Sequence, residues 1–305
     1  MNRLMNVPAL RSFIWRLGRR LYRWARREDS SGSGTNGEFW LLAQVVTKNL
    51  TDAPVFMDIG AHVGIWSEHA ALLLSRQKIA GHIHVFEPAS STFARLAEKF
   101  RGSNLVSTRR IALSDRSGEA IFFVNSELCG TNTLLRTEGA AMENVTALRF
   151  DEYMADQGID HVLFVKSDAE GHDLNILKGA EQTLFHGQVD VWQFEYNHRW
   201  IGGRLFLKDV FDFIADKPYR IGKLHRDGIE TYERWHPELE RFFESNYVLI
   251  KKGSRFDELC TGVEFDYRNV LIPCTCTSQR AHGLNDKVPA TSFKKSRTVS
   301  DSART

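Results

Sequence analysis

The chain has 305 residues, 42% hydrophobic and 26% charged, with a net charge of only +2. That balance suits a globular protein of one large domain or two small ones, and no apolar run approaches the length of a membrane span. Cys129, Cys260, Cys274 and Cys276 are scattered and no signal-peptide pattern precedes them, so a disulfide framework is excluded and a cytoplasmic enzyme is the expectation.

Residues 1–36 read as an arm. Leu10, Phe13, Ile14, Leu17, Leu21 and Trp24 follow helical spacing, while seven arginines and no acid lie between Arg11 and Arg27. Such a basic amphipathic helix suits peripheral contact with an anionic membrane, or docking on its own domain with the arginines solvated. The run Ser30–Thr35 reads as a flexible linker. A main domain over 37–252 follows, in which strand-like and helix-like segments alternate. Helices are expected near 38–48, 65–76, 91–100 and from Leu174 to Leu184. Strands are expected near 55–59, 82–87, 106–113, 120–125, 162–168 and 191–196. Tyr219–Leu224 and Tyr247–Lys251 supply two last strands joined by a helix from Pro237 to Glu244. Alternation of this kind predicts an α/β fold, a mostly parallel sheet with helices on both faces. Residues 253–305 form a C-terminal extension, with disorder expected after about 275 from its Ser, Thr, Lys and Arg content. Cys274 and Cys276 are too few for a structural zinc.

Two strand ends carry the chemistry. The first strand runs into Asp58-Ile59-Gly60-Ala61-His62-Val63-Gly64, where two glycines permit a tight turn into a helix. The second ends on Glu87, 23 residues after Gly64, a spacing similar to that of the ribose-binding acid of nucleotide-binding folds. A dinucleotide usually brings G-x-G-x-x-G, whereas this turn has His62 where a further glycine would stand. The acidic strand end suits the cationic sulfonium and ammonium of S-adenosylmethionine better. An ordinary strand–helix turn is the plain alternative.

After the most apolar strand comes Lys166-Ser167-Asp168-Ala169-Glu170-Gly171-His172-Asp173. Polar residues at that strand end share the crevice with Asp58, Gly60 and Glu87. Lys166, Asp168, Glu170 and His172 offer acids, a base and a counter-charge, although Asp168 and Glu170 would also serve as helix caps. Glu195 and His198, at the next strand end, are placed within reach of an acceptor. Arg199, Trp200 and Arg204 follow on a loop that reads equally well as a sugar-binding segment or a packed surface turn.

Taken together, these motifs resemble the FkbM family of S-adenosylmethionine-dependent methyltransferases. The resemblance runs through Phe56 to Gly64, Phe86-Glu87-Pro88, Ile111 to Asp115, Arg149 to Tyr153, Lys166 to Gly171 and Leu177 to Ala180, ending on the strand that carries Glu195. It implies a class I, Rossmann-like methyltransferase fold and methyl transfer to a hydroxyl of a sugar, glycan, glycolipid or secondary metabolite. It also implies that Asp58, Gly60, His62 and Gly64 hold the methionine part of the cofactor and that Glu87 binds the ribose. By the same resemblance Ser114 and Asp115 lie near the adenine, and Lys166, Asp168 and Glu170 form the floor of the reaction site. The competing expectations are a nicotinamide-dependent oxidoreductase and a non-catalytic binding module. Neither a required metal nor a nucleic-acid partner is expected.

Overall fold

The computed structural model describes residues 7–28, 32, 34–125 and 132–274. Cys129, Cys276, the tail from 275 and part of the linker at 30–35 lie outside the described residues. One compact unit ends at Pro273. Its elements, in chain order, are α1 (Pro8–Ala25), α2 (Glu38–Thr47), β1 (Val55–Ile59), α3 (Ile65–Gln77), β2 (His82–Phe86), α4 (Ser90–Lys99), β3 (Val106–Arg109), β4 (Ala112–Ser114), β5 (Gly118–Val124) and β6 (Ala141–Arg149). There follow α5 (Phe150–Gln157), β7 (Val162–Ser167), α6 (Asp173–Gly179), α7 (Glu181–Phe185), β8 (Val189–Tyr196) and α8 (Leu207–Ile214). The chain closes with β9 (Tyr219–His225), β10 (Gly228–Tyr232), β11 (Ser245–Lys251), β12 (Cys260–Phe265) and β13 (Leu271–Pro273).

Ten strands form one sheet in the order β13-β12-β10-β9-β11-β8-β7-β1-β2-β3. The stretch β8-β7-β1-β2-β3 is parallel throughout, and β11 runs against both neighbours, β8 and β9. This is the mostly parallel, Rossmann-like sheet that the alternation predicts. Its central strands are apolar on both sides because both faces are covered. Met57, Val165, Trp192 and Phe194 pack with α5, α6 and α8 on one face, while Phe56, Ile83, Val85 and Phe164 pack with α2, α3 and α4 on the other. The chain moves outward from β1 through β2 to β3, then returns to the far side of β1 as β7. That reversal opens a crevice beyond the carboxyl ends of β1 and β7.

Some predicted elements come out differently. The strand expected over 106–113 divides at Arg110: β3 ends the main sheet, whereas β4 pairs with β6 in a separate sheet of order β4-β6-β5. The helix expected from Leu174 to Leu184 breaks at Ala180 into α6 and α7. The helix expected from Pro237 to Glu244 is only a short 3-10 turn, Pro237–Leu239. There, Glu240 is drawn out of helical register to accept the N–H groups of Leu207 (2.9 Å) and Lys208 (3.1 Å) at the start of α8. Beyond Lys252 the sheet continues through β12 and β13, and Phe256 is fully buried. No helix among the described residues is long and apolar enough to cross a membrane.

Candidate active site

The crevice is built on backbone contacts that exclude larger residues. Gly60 has φ +74°, and a Cβ there would lie 2.1 Å from the Asp168 carbonyl oxygen. The β1 and β7 ends can therefore close together only through glycine. Gly60 and Ala61 both donate to the Phe86 carbonyl at 3.0 Å, and Asp168 N–H donates to the Ile59 carbonyl at 3.0 Å. Gly64 has a different job: a Cβ there would meet Leu96 and Phe100 side chains at 2.6 Å, so it lets α4 pack against the turn.

Asp58 is fully buried at the β1 end, level with Lys166 across the β1–β7 pairing. One of its oxygens accepts from Ser67 Oγ at 2.6 Å and the other has no hydrogen-bond partner. Burial raises its pKa against the opposing pull of Lys166. Lys166 Nζ lies 3.2 Å from Asp168 Oδ2. Burial alone would discharge it, but Asp168, Asp58 and Glu38 outweigh that and hold its pKa up, so it stays a cation. Glu87 grips the glycine turn: its two oxygens accept the N–H groups of His62 and Ala89, each at 2.9 Å. Burial nevertheless lifts it to about 7.

Two cavities meet over this turn. One, of about 330 Å³, is polar and is bounded by Gly60 to Val63, Lys166, Asp168, Glu170, Glu195, Asn36, Glu38, Lys223 and Glu244 to Asn246, whereas Gly64 lines neither cavity. The other, of about 50 Å³, is mainly apolar, with Phe86, Ile111 to Leu113, Phe122 and Ile176 beside Glu87. Gly60, His62, Asp168 and Glu170 line both. The small sheet supplies Ala112, Leu113 and Phe122 to the apolar slot, which explains why the chain leaves the main sheet after β3.

Asp168, Glu170 and Glu195 bring carboxylate oxygens within 4.8 Å of one another. Burial, then crowding by Asp168, raises Glu170 to about 8, although Arg199 sits 2.6 Å from it and pulls the other way. Burial, then the neighbouring acids, raise Glu195 well above its usual range. Three carboxylates so close cannot all stay ionised, and the arrangement stores a proton near neutral pH.

The remaining predicted residues separate. His172 lines the apolar slot but not the polar cavity. Burial lowers it to about 4, and its ring nitrogens are occupied by Ser114 Oγ (2.9 Å) and Asn175 Nδ2 (3.0 Å). It is thus a neutral, engaged imidazole rather than a base at the carboxylate cluster. Ser114 and Asp115 bond each other at 3.1 Å and line neither cavity, where Ile111 to Leu113 stand instead. His198 is exposed and lines neither cavity. Trp200 is fully buried against Tyr196 and Phe194, so the loop is a packed turn whose Arg199 faces Glu170. Sequence reasoning missed Asn36, Glu38, Lys223 and Asn246. Their only signal is polarity at the edge of an apolar element, as in Lys223 within β9 and Asn246 at the start of β11.

Comparison with known proteins bears on the same residues. The family described as the methyltransferase FkbM domain matches residues 58–221, more than half of the chain. A hexuronic acid methyltransferase, AglP, of Haloferax volcanii is 31% identical over 145 residues, which cover 47% of this chain and 56% of that protein. The chain therefore spans little more than half the length of this relative. Among solved structures, an rRNA methylase from Streptococcus thermophilus aligns at TM-score 0.38 and 9% identity, over 70% of this chain and 94% of its own. M. capricolum TrmK in complex with S-adenosyl-homocysteine aligns at TM-score 0.36 and 12% identity, over 70% and 69%. Identity that low says nothing of substrate.

Proposed function

The chain belongs to the FkbM methyltransferase family and has the Rossmann-like fold of class I methyltransferases; from that premise we propose that it transfers a methyl group from S-adenosylmethionine to a hydroxyl oxygen of a sugar or glycan. The observation that carries this reading is the shared wall between the two cavities. A mainly apolar slot that has Glu87 in its lining, and Asp168 and Glu170 in the wall it shares with the polar cavity, suits a purine and its ribose, with Glu87 accepting from the ribose hydroxyls. Crossing Gly60 from that slot leads to the carboxylates of Asp168, Glu170 and Glu195. Those acids suit a ligand that carries sulfonium and ammonium charges, and they would repel the pyrophosphate of a nicotinamide dinucleotide.

When bound, S-adenosylmethionine supplies an electrophilic methyl group on its sulfonium sulfur. An alcohol is a weak nucleophile, so the protein's own contribution is alignment, exclusion of water and removal of the hydroxyl proton. Glu170, raised by burial to about 8, receives that proton when ionised. Asp168, fixed by Lys166, orients the hydroxyl. Asn36, Glu38, Asn246 and Lys223 offer the donors and acceptors that a polyhydroxyl ring needs. The name of the Haloferax relative supports a sugar acceptor over other alcohols.

The test is methyl transfer from labelled cofactor to hexose- and hexuronate-bearing glycans. Asp168→Asn and Glu170→Gln should each lower turnover on the order of 10²-fold or more. Base-labile label would mark a carboxylate ester and overturn the hydroxyl assignment. Labelling of amines or RNA, with no sugar product, would overturn the acceptor class.

A further inference from the structure

Helix α1 presents an apolar stripe to solvent. Phe13, Ile14, Leu17, Leu21 and Trp24 recur at three- and four-residue spacing, hence on one side of the helix. They are 62%, 42%, 45%, 53% and 81% exposed, and no residue of α1 is buried. The body of the protein has already taken a different side. Tyr22 packs edge-on against Phe243 at 6.2 Å, the Arg19 guanidinium lies 5.7 Å from the same ring, and Arg26 donates to the Glu238 carbonyl at 3.2 Å. Just past the helix, Arg27 pairs with Asp227 and Glu230, and Glu28 with Lys223. The helix is thus tethered at its C-terminal end with its apolar stripe directed elsewhere.

A contiguous row of large apolar side chains in water marks an interaction surface. Its flanks select the partner. Between Arg11 and Arg27 there are seven arginines and no acid, so a second copy of the helix would bring like charge against like. RNA would engage the arginines and leave the stripe wet. A bilayer with anionic headgroups satisfies both features at once. We infer that α1 is a docking element for anionic membranes, lying flat in the interface with Phe13, Leu17, Leu21 and Trp24 in the acyl boundary and Arg16 and Arg20 among the headgroups. The inference stands on exposure and charge alone and does not depend on the methyl-transfer reading.

Co-sedimentation of the full chain with vesicles tests it, using phosphatidylcholine alone and phosphatidylcholine with phosphatidylglycerol. The protein should pellet with the anionic vesicles. Arg16→Gln with Arg20→Gln should weaken partitioning roughly thirtyfold. Leu17→Glu with Trp24→Glu should abolish it without shifting the melting temperature, since those side chains meet solvent. No pelleting with anionic vesicles would overturn the inference. So would a concentration-dependent dimer that the glutamate pair abolishes, or pelleting that nuclease removes.

Discussion

Gly60 is the residue on which the crevice closes. At φ +74°, with the Asp168 carbonyl 2.1 Å from where a Cβ would sit, Gly60→Ala must push β1 and β7 apart or strain the turn. A loss on the order of 3 kcal/mol in unfolding free energy, with weakened cofactor binding, is expected and is measurable by denaturant titration and calorimetry. Glu170 governs the pH dependence. If it accepts the proton, it must be ionised, so kcat/KM should rise with pH through an apparent pKa of about 8. Glu170→Gln should remove that limb, and a limb unchanged in the variant would assign it elsewhere. The carboxylate cluster also resembles a cation site, but two of its members already have cationic partners, Lys166 for Asp168 and Arg199 for Glu170. Turnover should therefore be insensitive to a chelator. Loss with EDTA and recovery with Mg²⁺ would show that those pairs open for an ion.

Among the elements, the short turn at His198–Ile201 shows how packing and chemistry are joined. Trp200 is fully buried, packs edge-on against Tyr196 at 5.1 Å and donates to the Glu195 carbonyl at 3.0 Å. It holds Arg199 against Glu170. Trp200→Ala should cost about 3–5 kcal/mol and also raise the pH at which activity falls away, because losing Arg199 removes the force that lowers the Glu170 pKa; a limb left in place would mean that Arg199 still faces Glu170. The central strands and the places of Gly60, Glu87 and Asp168 were legible in the sequence because a buried parallel strand is an apolar run with its chemistry at the end; Asp58, expected to hold the cofactor, stands at its strand end but is fully buried and lines neither cavity. What escaped depends on distant partners. The split at Arg110 is set by β6, some 30 residues on, whose pattern is too polar to read as a strand. The β9–β10 hairpin had a local cue in Asp227-Gly228, next to its two-residue loop. Glu38 and Asn246 reach the cavity only through a bond between residues more than 200 apart, which no local spacing reports.

Across the whole molecule, buried carboxyls set the response to pH. Glu87, Asp173 and Glu170 are raised by burial to about 7, about 7 and about 8. A raised pKa means the folded state holds a proton that the unfolded chain releases, so this stability is complete below the ordinary carboxyl range and is lost as pH climbs to the folded value. His84 and His172, lowered to about 4, act the other way, but only below their ordinary value of 6.5. From pH 6.5 to 8.5 those histidines no longer contribute, and the carboxyls should bring the melting temperature down by roughly 5 °C. A flat or rising curve would mean those acids are ionised in the folded state. Most directly, a crystal structure with S-adenosylhomocysteine would test whether one ligand bridges the two cavities. The expected result is a purine in the slot beside Phe122 and Leu113, ribose hydroxyls on Glu87 and the sulfur facing Asp168 and Glu170. A ligand bound anywhere else, with the space over Gly60 empty, would contradict the account.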